Sequence, residues 1–276
     1  MKAAHFDYGR PARCGEAVAQ LRQGGGGGKY IAGGQSLGPM MNLRLVQPDL
    51  LVDLRAIDAL RECRTEDGYT MLGALTTHAA IEDGLALDPT RGMMPWVAHG
   101  IAYRAVRNRG TLGGSLSHAD PAADWVNLMA VLDAQYLVEG PAGARTIDQP
   151  DWILGAFTTA LHEDEILTGI RIPALSADSR WSYYKFNRKA GEFAEAIAAF
   201  VDDPQRGVRR GVIGALAGAP YVICDASPLI DAWDDAFAHE QLVAAGLEPD
   251  SYDYKIHAVA LARAAHAVKT FRGVNA

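Results

Sequence analysis

The sequence predicts an α+β fold, and three observations carry that reading. Strand-like and helix-like segments follow one another without the regular parallel alternation of a doubly wound sheet. Two glycine pairs, Gly33-Gly34 and Gly113-Gly114, punctuate the chain 80 positions apart. A strand-like run over 166–173 ends at a proline and gives way to the small and polar stretch 174–179, which marks the start of a separate C-terminal domain.

In order along the chain, residues 15–21 read as a helix. The five glycines at 24–28 read as its stop and a flexible connector, and 29–32 as a short apolar strand. A second buried strand follows at 50–54. Further strands are expected at 70–75 and 135–138, with helices at 77–84, 93–101 and 122–132. Pro173 makes 166–173 an edge strand, because proline cannot donate to a ladder. Beyond it, 181–186, 194–201 and 208–216 form a three-stranded sheet, and the turn-rich 202–207 joins the last two. Helices over 228–245 and 251–271 end the chain. In the second of these, Ala258, Leu261, Ala262, Ala265 and Val268 recur at helical spacing as a packing stripe.

The composition bounds the function. In 276 residues the apolar share is 49% and the charged share 21%, ordinary for a globular protein with a sizeable core. A net charge of -7 argues against nucleic-acid or anionic-membrane partners. There is no secretory leader and no window long and apolar enough for a membrane span, so a cytoplasmic location is expected. Cys14, Cys63 and Cys224 are widely spaced and odd in number, so they make neither a disulfide framework nor the four-thiolate set of an iron–sulfur cluster.

The chemistry lies in the glycine segments. Ala32-Gly33-Gly34-Gln35-Ser36-Leu37-Gly38 follows a strand; adjacent glycines let successive N–H groups converge on a pyrophosphate, with Gln35 and Ser36 as further donors. Alone, such a loop is better read as a tight strand-to-coil turn. Arg107-Asn108-Arg109-Gly110-Thr111-Leu112-Gly113-Gly114-Ser115 repeats the theme, and two such loops suit a dinucleotide clamped from both sides. Arg107 and Arg109 are equally consistent with electrostatic help and with structural pairing. Neither Gly-x-Gly-x-x-Gly nor a Walker A loop is present. Ser117-His118-Ala119-Asp120-Pro121-Ala122-Ala123-Asp124 gathers metal-capable side chains, but Asp120 as N-cap with Pro121 at the helix start explains it without metal. Asp124 then sits in the first turn, where it can accept from a ribose hydroxyl.

Gly34-Gln35-Ser36-Leu37-Gly38 also matches the nucleophile elbow of a serine hydrolase, with Ser36 as nucleophile. The elbow falls too early for the strands that precede it in such enzymes, and no His-Gly-Gly-Gly oxyanion segment is present. A non-catalytic nucleotide-binding module is a third reading.

Together, the segments 29–45 and 107–124 closely resemble the FAD-binding medium subunit of the molybdenum hydroxylase family, which includes xanthine dehydrogenase and carbon monoxide dehydrogenase. The resemblance covers essentially the whole chain. It implies a two-subdomain FAD-binding fold of the vanillyl-alcohol-oxidase type, over 1–55 and 56–175, plus a C-terminal α+β domain over 176–276. It further implies that Ile31, Ala32, Gly33, Gly34, Gln35, Ser36 and Leu37 hug the flavin diphosphate. Thr111, Gly113, Gly114 and Ser115 would close on it, with Ser117, Asp120 and Asp124 nearby, Leu167 as an apolar wall and Lys185 approaching from the C-terminal domain. Gln35 stands where some members carry histidine, and 191–195 is more acidic than the usual pattern. The implied partners are a large molybdopterin subunit and a small subunit with two [2Fe-2S] clusters, in a dimer of heterotrimers. The implied role is electron delivery, so no acid, base or nucleophile on this chain is catalytic, and substrate and electron acceptor stay open.

Overall fold

A computed structural model describes residues 2–270 of the chain. Helix and sheet are mixed throughout, as an α+β fold requires. The first sheet is parallel, in the order β1-β3-β2, with β1 (Asp7–Gly9), β2 (Gly28–Ile31) and β3 (Leu50–Asp53). Helix α1 (Cys14–Gln23) covers it with Ala17, Val18 and Leu21, which recur on one face. Gly24 ends α1 and Gly28 opens β2, so helix, glycine stop and strand follow as expected. Between β2 and β3 a short helix, α2 (Leu37–Asn42), begins directly after the first glycine loop.

The second sheet is antiparallel, with β4 (Cys63–Glu66), β5 (Tyr69–Gly73), β6 (Gln135–Gly140), β7 (Gly143–Asp148) and β10 (Ile166–Pro173) in the order β4-β5-β10-β6-β7. The run ending at Pro173 is therefore a central strand, contrary to the expectation of an edge. Pro173 occupies only the last ladder position, opposite Tyr69, where its missing donor leaves the interior bonds intact. Five helices lie between β5 and β6: α3 (His78–Glu82), α4 (Met93–His99), α5 (Arg104–Arg107), α6 (Leu112–His118) and α7 (Asp124–Leu132). A short helix α8 (Gln149–Trp152) and the small hairpin of β8 (Ile153–Gly155) and β9 (Thr158–Thr159) complete this part.

The last sheet holds four strands, not three: β11 (Arg180–Phe186), β12 (Ala196–Asp203), β13 (Val208–Gly214) and the short β14 (Tyr221–Ile223), in sequential antiparallel order. β14 spans only three residues, too few to show an alternation. The expected helix over 228–245 is also two: α9 (Ser227–Ile230) and α10 (Asp235–Ala244). Asp234 interrupts them, because its carboxylate caps the new helix by accepting from the N–H groups of Ala236 and Phe237. Helix α11 (Tyr252–Lys269) closes the described chain; the expected end at Phe271 lies outside the described residues. Its buried stripe runs through His257, Ala260, Leu261, Ala264, Ala265 and Val268, so Ala260 and Ala264 take the places expected of Ala258 and Ala262.

Packing of α7 and β12 joins these parts. All nine residues of α7 are buried, the mark of a helix covered on every side. On β12, Ile197, Ala199 and Val201 face the central core with Trp125 and Leu128 of α7, while Ala196, Ala198 and Phe200 face the core under α11. Among the described residues no helix is long and apolar enough to cross a membrane.

Candidate functional site

The two glycine segments, remote in sequence, touch in space. Gly33 lies so close to the second loop that a Cβ on it would sit 2.0 Å from the carbonyl oxygen of Arg109 and 2.9 Å from Cα of Gly110. A Cβ on Gly114 would lie 3.7 Å from that of Ala32, in ordinary van der Waals contact. The next residue, Gly34, has φ +71, in the left-handed region that glycine enters without strain. Among the described residues no backbone acceptor meets the N–H groups of Gly33, Gly34, Gln35 or Ser36. Such a nest of adjacent donors fits a diphosphate. Gln35 does not add to it directly, because its Nε2 donates back to the carbonyl of Gly33 at 3.0 Å and braces the loop. Ser36 precedes α2 without capping it.

The second segment is built differently from the loop expected. Thr111 is the N-cap of α6, its Oγ1 accepting from the N–H of Gly114 at 3.0 Å, and the glycine pair is the helix's first turn. The N–H of Gly113 is taken by the carbonyl of Ala74 at 2.9 Å, and a Cβ there would strike Ala74. Gly113 therefore serves close packing, while Ser115 is partly open and Ser117 exposed on the same helix. Arg107 takes the structural role: it is buried, holds Glu82 through Nε at 2.7 Å and Nη2 at 2.8 Å, and donates to the carbonyls of Ile101 and Ala102. Its guanidinium, with further help from His99 and Arg104, lowers the Glu82 carboxyl to about 2. Arg109 is exposed.

Asp120 does not cap α7, contrary to expectation. Its carboxylate accepts from the N–H of Ala122 at 2.9 Å in a turn ahead of the helix, and Ala123 occupies the cap position. His118 packs its ring against Phe157 at 5.2 Å. The possible ligands around His118 thus diverge, and among the described residues no group of three His, Cys, Asp or Glu side chains is placed to hold a metal. Nor does any described histidine hydrogen-bond the hydroxyl of Ser36, so the elbow-like motif has no base.

Asp124 lies in the first turn of α7 and is 5% exposed. Its carboxylate accepts from Nζ of Lys185 at 2.8 Å and from the hydroxyl of Tyr183 at 2.9 Å, both on β11. Burial pushes its carboxyl upward, opposed by the Lys185 ammonium and the Tyr183 hydroxyl. These three side chains line a cleft of about 200 Å3 with Trp96, Val97, His99 and Gly100. Lys185 was legible from sequence only through the family likeness. Tyr183 was missed, because nothing local links a tyrosine to a carboxylate 59 positions earlier. Leu167 is buried on β10, opposite Val138 of β6 and beside a bulge at Gly169.

Comparison with known proteins shows the family. The family model described as the FAD binding domain in molybdopterin dehydrogenase matches residues 4–175. The carbon monoxide dehydrogenase medium chain of Hydrogenophaga pseudoflava is 40% identical over 200 residues, 71% of this chain and 68% of that one. The nicotine 6-hydroxylase medium subunit of Paenarthrobacter nicotinovorans is 37% identical over 201 residues, 73% of this chain and 70% of that one. Among solved structures, a chain of the H. pseudoflava carbon monoxide dehydrogenase lacking the Mo-pyranopterin moiety superposes with a TM-score of 0.88 at 32% identity, covering 98% of this chain and 99% of that one. Quinoline 2-oxidoreductase from Pseudomonas putida 86 gives 0.84 at 31% identity, again over 98% and 99%. The chain belongs to the FAD-binding medium subunits of the molybdenum hydroxylase family, the flavin-carrying part of an oxidoreductase.

Proposed function

We propose that this chain is the electron-delivering subunit of a heterotrimeric molybdenum hydroxylase. A large molybdopterin subunit would hydroxylate the substrate, and a small subunit with two [2Fe-2S] clusters would conduct electrons to this chain; two heterotrimers would pair. The observation that carries the reading is the contact of Gly33 with Arg109 and Gly110, which joins the two glycine segments beside a row of uncommitted N–H donors. When bound there, FAD would supply the redox chemistry that links the clusters to an external acceptor.

The residues of this chain hold and orient the cofactor. Ile31, Ala32, Gly33, Gly34, Gln35, Ser36 and Leu37 form the face that takes the diphosphate, with backbone N–H groups as the donors. Thr111, Gly113, Gly114 and Ser115 form the opposing face, where hydroxyls and close packing act in place of free N–H groups. Ser117, Asp120 and Asp124 extend the polar wall, Leu167 gives an apolar one, and Lys185 brings a cation from the C-terminal sheet. The division into 1–55, 56–175 and 176–276, with the first two in the vanillyl-alcohol-oxidase arrangement, belongs to the same reading, as does a cytoplasmic location. The named relatives belong to enzymes of carbon monoxide, nicotine and quinoline. So varied a set on one cofactor fold supports a reading in which substrate choice lies on another chain.

The test is an absorption spectrum of the natively purified protein, with identification of the released cofactor and of the chains that co-purify. Flavin bands, released FAD, one large and one small partner are expected. A colourless preparation that takes up no FAD would sink the proposal.

A further inference from the structure

The family-matched segment ends at residue 175, yet the cleft beside Asp124 is completed from beyond it. Tyr183 and Lys185 are alternate residues of β11, so both side chains leave the sheet on one face, toward α7. There each bonds a different oxygen of one carboxylate: the Tyr183 hydroxyl takes Oδ1 and the Lys185 ammonium takes Oδ2 of Asp124. Tyr183 is 7% exposed and its ring edge meets Trp96 with centroids 6.2 Å apart, so the phenol has no freedom to swing away. Lys185 is the most open of the three, its side chain 11% exposed at the cleft. An ammonium has three donors, and Asp124 uses one.

We infer that Tyr183 is a positioning residue for the FAD site: through the Asp124 carboxylate it fixes the Lys185 ammonium at the cleft, and so makes cofactor binding depend on the C-terminal sheet. The inference rests on the reading of the chain as the FAD-carrying subunit. Without the phenol, Asp124 loses the bond that sets its rotation, and Lys185 follows a carboxylate no longer held in one plane. The Tyr183 hydroxyl bonds Asp124 while its ring packs in the central core beside Trp96, so its effect on the cofactor passes through Asp124 and Lys185.

The experiment strips FAD from the purified complex and titrates it back by flavin fluorescence, for wild type, Tyr183→Phe, Lys185→Gln and the double variant. Each single variant is expected to raise the FAD dissociation constant about tenfold, the order of one hydrogen bond to a charged group. The double variant is expected to match the singles, because both remove the same held ammonium. A double variant near a hundredfold, or Tyr183→Phe with wild-type affinity, overturns the inference. If Tyr183→Phe does not fold, Tyr183→Leu, which also lacks the phenol, replaces it in the same cycle, and effects that multiply with Lys185→Gln overturn the inference equally. Wild-type complex that takes up no FAD instead sinks the flavoprotein reading, a different outcome from any of these.

Discussion

At Gly33 one methyl group decides whether the two glycine segments meet. The atom it would strike is a backbone carbonyl that cannot swing aside, so the loops must part. Gly33→Ala is expected to lower FAD affinity about tenfold or more, a shift of roughly 1.4 kcal/mol or greater, read by flavin titration. Wild-type affinity would show that the contact does not shape the site. His78 acts nearby through its charge state. It is buried, its Nδ1 accepts from Nε1 of Trp125 at 2.9 Å, and burial with Arg107 nearby lowers it to about 4. The unfolded chain therefore binds a proton that the folded chain refuses between about pH 6.5 and 4. The resulting stability is complete above about pH 6.5 and is lost as pH falls through that window. Urea unfolding at pH 7 and pH 5 is expected to differ by about 2 kcal/mol from this group alone. The non-titrating His78→Gln should show a correspondingly smaller difference. The glycine pairs were legible in the sequence because glycine has few other reasons to cluster. The burial of His78 was not, since nothing around it in sequence announces an enclosing core.

Among the elements, long periodic or apolar runs were read correctly and short interrupted ones were not. α1, β3, β11 and β13 stand where the pattern put them, and β12 lies two residues later than 194–201, taking Asp202 and Asp203 from the expected turn. β14 and α6 escaped notice: the first is too brief to alternate, and the second is written in glycine and serine, poor helix formers that position Thr111 as cap makes workable. The split of 228–245 has the same origin, since a capping aspartate inside a helical pattern reads as one more polar surface residue. Asp234→Ala is expected to cost about 1 kcal/mol of stability, measured by urea unfolding, through the two N–H groups of α10 left without their acceptor. An unchanged midpoint would mean that tertiary packing alone holds the start of α10.

For the whole molecule, the C-terminal sheet is part of the central core. Trp181, Tyr183, Ile197, Ala199, Val201 and Val212 share one buried cluster with α7 and with β10. A chain ended at residue 175 would expose that face of α7, including Asn127, whose Oδ1 presses against Gly214 and whose Nδ2 donates to the carbonyls of Pro121 and Ala123. Such a truncation is expected to be aggregated, and to take up no FAD, by size-exclusion chromatography and flavin titration. A monomeric, FAD-competent fragment would show that the matched segment is self-sufficient. The sequence by itself determined the α+β class, the order of the long elements and the two glycine segments. These follow from local periodicity and from a residue type with no side chain, properties carried by neighbouring positions. Tertiary structure alone decided that Pro173 ends a central strand, that Gly33 rests on Arg109, and that Asp124 answers to Tyr183 and Lys185. Each is a contact between residues far apart in the chain, set by the packing of whole elements and by the need of a buried carboxylate for partners.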